Sequence, residues 1–138
     1  TALFPGLAEA MERLEAADMR LAVCTNKRED LAVRLLDRLG LLGRFATVGG
    51  GDTFPVRKPH GDHLVLTVKQ AGGDPEHAVM IGDSASDILG ARNAGMPSIA
   101  VPFGYSDQPV ESLGPDLVIE NYSELTADVI RRLLSRPA

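Results

Sequence analysis

At 138 residues, 44% hydrophobic and 24% charged, the chain has the size and composition of one globular domain with a buried core, and no apolar run reaches membrane-spanning length. A formal net charge of -5 without basic clusters argues against nucleic acid as the main partner, while leaving room for a small anion held by a lysine, a cation and helix amino termini. The single cysteine, Cys24, allows no disulfide within the chain and points to a reducing, cytoplasmic setting.

Phe4, Pro5 and Gly6 form an opening turn. Leu7, Ala10, Met11, Leu14 and Ala17 then recur at helical spacing, with Glu9 and Arg13 paired on the outer face. Residues 21–24, LAVC, read as a buried strand that stops at the polar turn Thr25-Asn26-Lys27. A second helix follows, with Leu31, Leu35, Leu36 and Leu39 as its apolar set and Gly40 as its end. Residues 45–48 are a short strand candidate. The run Gly49-Gly50-Gly51 favours no regular element, so a loop is expected there, carrying Asp52, Pro55, Arg57, Lys58 and Pro59. The proline after Lys58 disfavours a helical backbone at Lys58. Residues 62–71 read as a third helix with Leu64, Val65 and Val68 inward.

Residues 78–81, AVMI, form a continuous apolar run, as expected of a strand buried on both faces of a parallel sheet. Gly82 ends it, Asp83 stands at the turn, and a helix runs on to Gly95. Ser84 and Asp87 fit the S-x-x-D capping box of that helix. Residues 98–101 and 117–119 are further strands around a loop over 103–114. A final helix is expected with Asn121 and Glu124 as its capping box, and residues 135–138 are expected to fray. Strands alternating with helices predict an α/β fold, a Rossmann-like and mostly parallel sheet covered on both faces, as one domain over 1–138. His60, His63 and His77 lack ligand spacing and read as loop or surface residues.

In a parallel sheet the carboxyl ends of all strands share one edge, so residues just beyond successive strands converge. Three such positions carry polar chemistry: Thr25, Lys58, and Asp83 with Asp87. A hydroxyl, an ammonium and carboxylates suit the holding of a phosphoryl group. Lys58 would neutralise phosphate oxygens. Thr25 would donate a hydrogen bond, aided by Asn26 and the amides that open the following helix. Asp83 would ligate Mg²⁺, and Asp87 would orient Lys58 or a metal-bound water. Each residue also has an ordinary use: Thr25 and Asn26 as turn residues, Lys58 as a surface lysine, Asp87 as a helix cap.

The order of these turns resembles the haloacid-dehalogenase-like phosphatase superfamily. CTN with Thr25 is similar to its second motif, RKP with Lys58 to its third, and GDSASD with Asp83 and Asp87 to its fourth. The loops GGGDTFPVRKP and GYSDQPVESLGPD make the chain look most like phosphoglycolate phosphatases. The resemblance implies a Mg²⁺-dependent phosphoric monoester hydrolase of a small phosphorylated acid, with 2-phosphoglycolate the expected substrate, working through a phosphoaspartyl intermediate. Thr25, Lys58 and Asp87 would be catalytic, Thr25, Asn26 and Lys58 would hold phosphate, and Asp83 would hold the metal.

The family's nucleophile is the first aspartate of a D-x-D motif on a central strand, followed by a helical cap. No D-x-D occurs in these 138 residues. The resemblance therefore begins at the cap exit and implies a sheet lacking its first central strand, with exposed edges suited to pairing with an N-terminal segment or another chain. As given, the chain is expected to be an inactive, truncated piece. The alternative is a non-catalytic binding or assembly module on the same fold. A response-regulator receiver is disfavoured, because its acidic residues would precede the threonine.

Overall fold

The computed structural model describes residues 6–58, 60–101 and 110–135. Five helices and five short strands alternate along them: α1 (Leu7–Ala16), β1 (Val23–Cys24), α2 (Glu29–Arg38), β2 (Val48–Gly49), α3 (Gly61–Gln70), β3 (Met80–Gly82), α4 (Ala85–Ala94), β4 (Ser98–Ala100), β5 (Leu117–Val118) and α5 (Ala127–Leu134). Every strand pair is parallel. This is the α/β architecture expected from the alternation of elements.

The strands form two sheets, β1-β2 and β3-β4-β5. Val23 pairs with Val48, Met80 with Ser98, and Ile99 with Leu117. On β1, the Val23 and Thr25 amides donate toward β2, at 3.1 and 2.9 Å. Because peptide groups alternate sides along a strand, those of Ala22 and Cys24 face the other way. On β3, the Met80 amide and the Gly82 carbonyl serve β4, so those of Val79 and Ile81 face away from it. Between these two edges lies a slot of about 360 Å³, lined by Leu21, Ala22 and Cys24 on one side and by Val79, Met80 and Ile81 on the other. Leu64 and Val68 of α3 and Ile130 of α5 also line it.

The larger core packs α1 and α5 against the three-stranded sheet through Ala10, Leu14, Ile99, Ile119, Ile130 and Leu133, all buried. Leu64 of α3, Ala91 of α4 and Met96 form a second cluster. Arg13 ties α1 to the segment before α5, its Nη2 donating to the carbonyls of Tyr122 at 2.7 Å and Leu125 at 3.0 Å.

Several local expectations are corrected. Gly49 is not loop: it pairs with Cys24 in the strand, where the side chain of Thr67 on α3 lies so close that a Cβ would collide with it. A 3₁₀ turn occupies residues 42–44, and β2 starts later than expected, at Val48. Asn121 and Glu124 do form a capping box, but on the 3₁₀ turn Tyr122–Glu124; α5 starts afterwards, with Thr126 accepting from the Val129 amide. Leu31 is 42% exposed rather than inward, because Ala32 is the buried residue of α2. The opening turn at Phe4 and Pro5, most of the loop over 103–114, and residues 136–138 lie outside the described residues. Among the described residues, no helix is long and apolar enough to cross a membrane.

Candidate active site at the carboxyl ends of β1 and β3

Thr25, Asn26, Lys58, Asp83 and Asp87 all line one cleft of about 440 Å³. The strands place them there. β1 ends at Cys24 and releases Thr25 and Asn26; β3 ends at Gly82 and releases Asp83; Lys58 arrives in the loop between β2 and α3.

The acidic turn is organised around Asp87. Its Oδ2 accepts from the amides of Asp83 at 3.1 Å and Ser84 at 3.3 Å, and Ser84 Oγ accepts from the Asp87 amide, which completes the capping box of α4. The other oxygen, Oδ1, receives Lys58 Nζ. Asp87 therefore both caps the helix and pairs with the lysine, and two of its roles foreseen in the sequence coexist. The carboxylate leaves no room at Gly82, where a Cβ would run into it. Lys58 and Asp87 are only 9% and 6% exposed, so this is a buried ion pair at the foot of the cleft. Among the described residues no buried side-chain nitrogen or oxygen lacks a hydrogen-bond partner.

On the β1 side, Thr25 Oγ1 accepts from the Lys27 amide at 3.1 Å, which leaves its own hydroxyl hydrogen to donate. The amides that open α2 are differently employed than expected. That of Glu29 is taken by Asp52 Oδ1 at 2.8 Å and that of Leu31 by Asp30 Oδ1 at 2.9 Å. The Asn26 carboxamide is engaged with the backbone of Lys58.

His63 is a correction to the sequence reading. It is fully buried beneath the loop, with Nε2 on the Gly50 carbonyl at 2.9 Å and Nδ1 on Cys24 Sγ at 3.0 Å. A carbonyl only accepts, so Nε2 carries the proton and the Cys24 thiol donates to Nδ1. Burial depresses the pKa of His63 and raises that of Cys24, which keeps both neutral. The folded state thus binds fewer protons here than the unfolded chain. The stabilisation is complete above the unfolded histidine pKa of about 6.5 and is lost as pH falls through the lower folded value. The urea midpoint is expected to drop as pH falls below about 6.5, and His63→Asn to flatten that drop. An unchanged slope in the variant would assign it to other groups.

Tyr122 also lines the cleft and was not singled out from the sequence. Burial, and then the nearby Asp83 carboxylate, raise its phenol pKa. Its position just beyond β5 was the available signal, since that strand end opens on the same edge.

Mg²⁺ prefers oxygen ligands and keeps several waters. Asp87 is committed to Lys58 and two amides, and Asp83 brings the second carboxylate to the same cleft. No group of three or more His, Cys, Asp or Glu able to hold a metal occurs among the described residues. The donor set fits part of a Mg²⁺ shell.

Residues 1–101 match the family model described as haloacid dehalogenase-like hydrolase. The chain is 49% identical over 135 residues to a phosphoglycolate phosphatase of Agrobacterium fabrum and 47% identical over 138 residues to one of Caulobacter vibrioides. These alignments take in 98% and 100% of the chain, but 58% of each relative. Among solved structures, a predicted phosphoglycolate phosphatase from Haemophilus somnus superposes with a TM-score of 0.83 at 29% identity, over 95% of this chain and 57% of that one. CbbY from Rhodobacter sphaeroides, solved in complex with phosphate, superposes with a TM-score of 0.76 at 27% identity, over 89% of this chain and 56% of that one. By the match over residues 1–101, the chain belongs to the haloacid dehalogenase-like hydrolases.

Proposed function

We propose that this chain supplies the phosphate-holding part of a Mg²⁺-dependent phosphoric monoester hydrolase acting on a small phosphorylated acid, with 2-phosphoglycolate the leading substrate. The observation that carries this reading is the convergence of Thr25, Lys58, Asp83 and Asp87 from three separate turns on one cleft. The names of the relatives, and the phosphate in the CbbY structure, support it.

In this reading Thr25 donates its hydroxyl hydrogen to a phosphate oxygen, and Asn26 contributes its peptide N–H. Lys58 neutralises the charge that spreads over the transferring group, and Asp87 holds the ammonium on that side of the cleft. Asp83 would hold Mg²⁺, which when bound would add to the charge neutralisation that Lys58 supplies. The nucleophile is an aspartate of a D-x-D segment outside these 138 residues. Its attack forms a phosphoaspartyl group as the bond from phosphorus to the leaving oxygen breaks, and water then releases phosphate. The slot between β1 and β3 is the place for the strand that carries this segment. On its own the chain binds without turnover, and with the segment supplied it hydrolyses the substrate.

Calorimetric titration with Mg²⁺ and inorganic phosphate tests the binding half. Asp83→Asn is expected to weaken Mg²⁺ binding at least about tenfold and to leave the fold intact, because a ligating carboxylate becomes a neutral amide. Equal Mg²⁺ affinity in wild type and variant would remove Asp83 from the site. Turnover of 2-phosphoglycolate by the chain alone would contradict the assignment of the nucleophile to another segment.

A further inference from the structure

Lys58 lies between Pro55 and Pro59 in the sequence, inside a turn that the His60 amide closes on the Arg57 carbonyl at 2.8 Å. One side chain grips its own backbone groups as well. Asn26 Oδ1 accepts from the Lys58 amide at 2.9 Å, and Asn26 Nδ2 donates to the Lys58 carbonyl at 3.0 Å. Both polar groups of a single backbone residue are thus closed by one planar carboxamide, as a neighbouring strand would close them. Only one orientation of the amide works, since flipping it would set donor against donor and acceptor against acceptor.

The two loops meet at further points. The Gly51 amide donates to the Lys27 carbonyl at 2.7 Å, and Arg57 Nη2 donates to the Asn26 carbonyl at 3.3 Å. Neither of these touches Lys58. The turn closed by His60 bends the chain at Lys58, and the Asn26 pair is what ties the backbone groups of Lys58 itself to the β1 side of the cleft, with its side chain directed inward to Asp87.

We infer that Asn26 is a positioning residue for Lys58: its carboxamide orients the lysine backbone so that the ammonium reaches Asp87 and the cleft, and that carboxamide, unlike the peptide N–H of Asn26, does not meet the ligand. The functional consequence rests on the phosphate-holding role proposed for Lys58. The positioning itself does not. A carboxamide with one face on each polar group of Lys58 has its best donor and acceptor directions already used, which leaves the peptide N–H of Asn26, unaffected by substitution, as that residue's contribution to an anion.

Two measurements on this chain test the inference. In competitive acetylation read by mass spectrometry, Lys58 of the wild type is expected to react slowly because its ammonium is buried and paired. Asn26→Ala is expected to raise its reactivity about tenfold, with circular dichroism unchanged. Asn26→Asp, which keeps the acceptor for the Lys58 amide but opposes the carbonyl, is expected to fall between them and stands in where the alanine variant does not fold. Lys58 as unreactive in the folded variants as in wild type overturns the inference.

The second measurement is titration with inorganic phosphate. Asn26→Ala should weaken binding about tenfold in the wild-type background and less than about twofold in a Lys58→Ala background, because a residue acting through another has no effect once that other is gone. Equal weakening in both backgrounds would mean that the carboxamide meets phosphate directly, and overturns the inference. If wild type takes up no phosphate, the proposed function fails at that point, while the acetylation result still decides the role of Asn26.

Discussion

Lys58→Met is expected to destabilise the chain by about 3 kcal/mol, because it strands the Asp87 carboxylate in a site with two amide donors and no cation. The low end of the range for broken buried pairs applies, since the cleft admits water to one side of Asp87. Asp87→Ala should cost more, about 3–5 kcal/mol, as it strands the Lys58 ammonium and also removes the carboxylate that caps the Asp83 and Ser84 amides. The informative variant is the double change Lys58→Met with Asp87→Asn. Asparagine keeps an acceptor for the amides, methionine fills the lysine channel, and no buried charge remains. Its stability should return to within about 1 kcal/mol of wild type, a coupling of at least about 2 kcal/mol between the two sites once the cost of Asp87→Asn alone is counted. Urea unfolding of wild type, Lys58→Met, Asp87→Asn and the double variant closes the cycle and provides the measurement. Simply additive costs would mean that the pair does not behave as one buried unit. Recovery of stability without the charges would indicate that the pair serves chemistry in the cleft rather than the fold, since apolar groups of similar volume would hold the fold as well.

How far the sequence revealed this molecule depended on the range of each interaction. The capping box of Ser84 and Asp87 was legible because its partners are three residues apart and its pattern belongs to helix starts in general. The meeting of Lys58 with Asp87, 29 residues away, became legible only through the rule that strand ends share one edge. Nothing comparable announced His63. Its partners Cys24 and Gly50 lie 39 and 13 residues away, and a histidine in the first turn of an amphipathic helix reads equally well as surface. Gly49 was misread for a related reason. Glycine is a poor strand former by itself, and what places it in β2 is the close approach of Thr67 from another helix, a packing fact with no local trace. Asn26 was identified as a residue of the site from its place after β1, but the commitment of its carboxamide to the Lys58 backbone required coordinates.

Supplying an apolar strand in trans is expected to stabilise this chain more than any single substitution weakens it at a surface position. The edges of β1 and β3 turn the peptide groups of Ala22, Cys24, Val79 and Ile81 away from their paired strands and toward a slot lined mainly by apolar side chains from both sheets and from neighbouring helices. A strand placed there would be buried on both faces, so a continuous apolar run rather than an alternating one is the matching sequence. Its gain comes from backbone hydrogen bonds on two edges at once, each worth about 0.5–1.5 kcal/mol net, together with burial of its side chains. At a hundredfold excess over its dissociation constant such a segment adds about 2.7 kcal/mol, which raises the melting temperature by several degrees for a domain of this size. Cys24 provides a local readout because it lines both the slot and the cleft. Its alkylation should slow when the segment binds, and Ile81→Arg should abolish both the thermal shift and the protection by placing an unpaired charge in the slot. A segment ending in D-x-D should in addition restore turnover, whereas the same apolar strand ending in N-x-N should stabilise the chain equally and leave it inactive. Stabilisation that survives Ile81→Arg would place the strand elsewhere. Equal activity with either ending would separate the slot from the chemistry of the cleft.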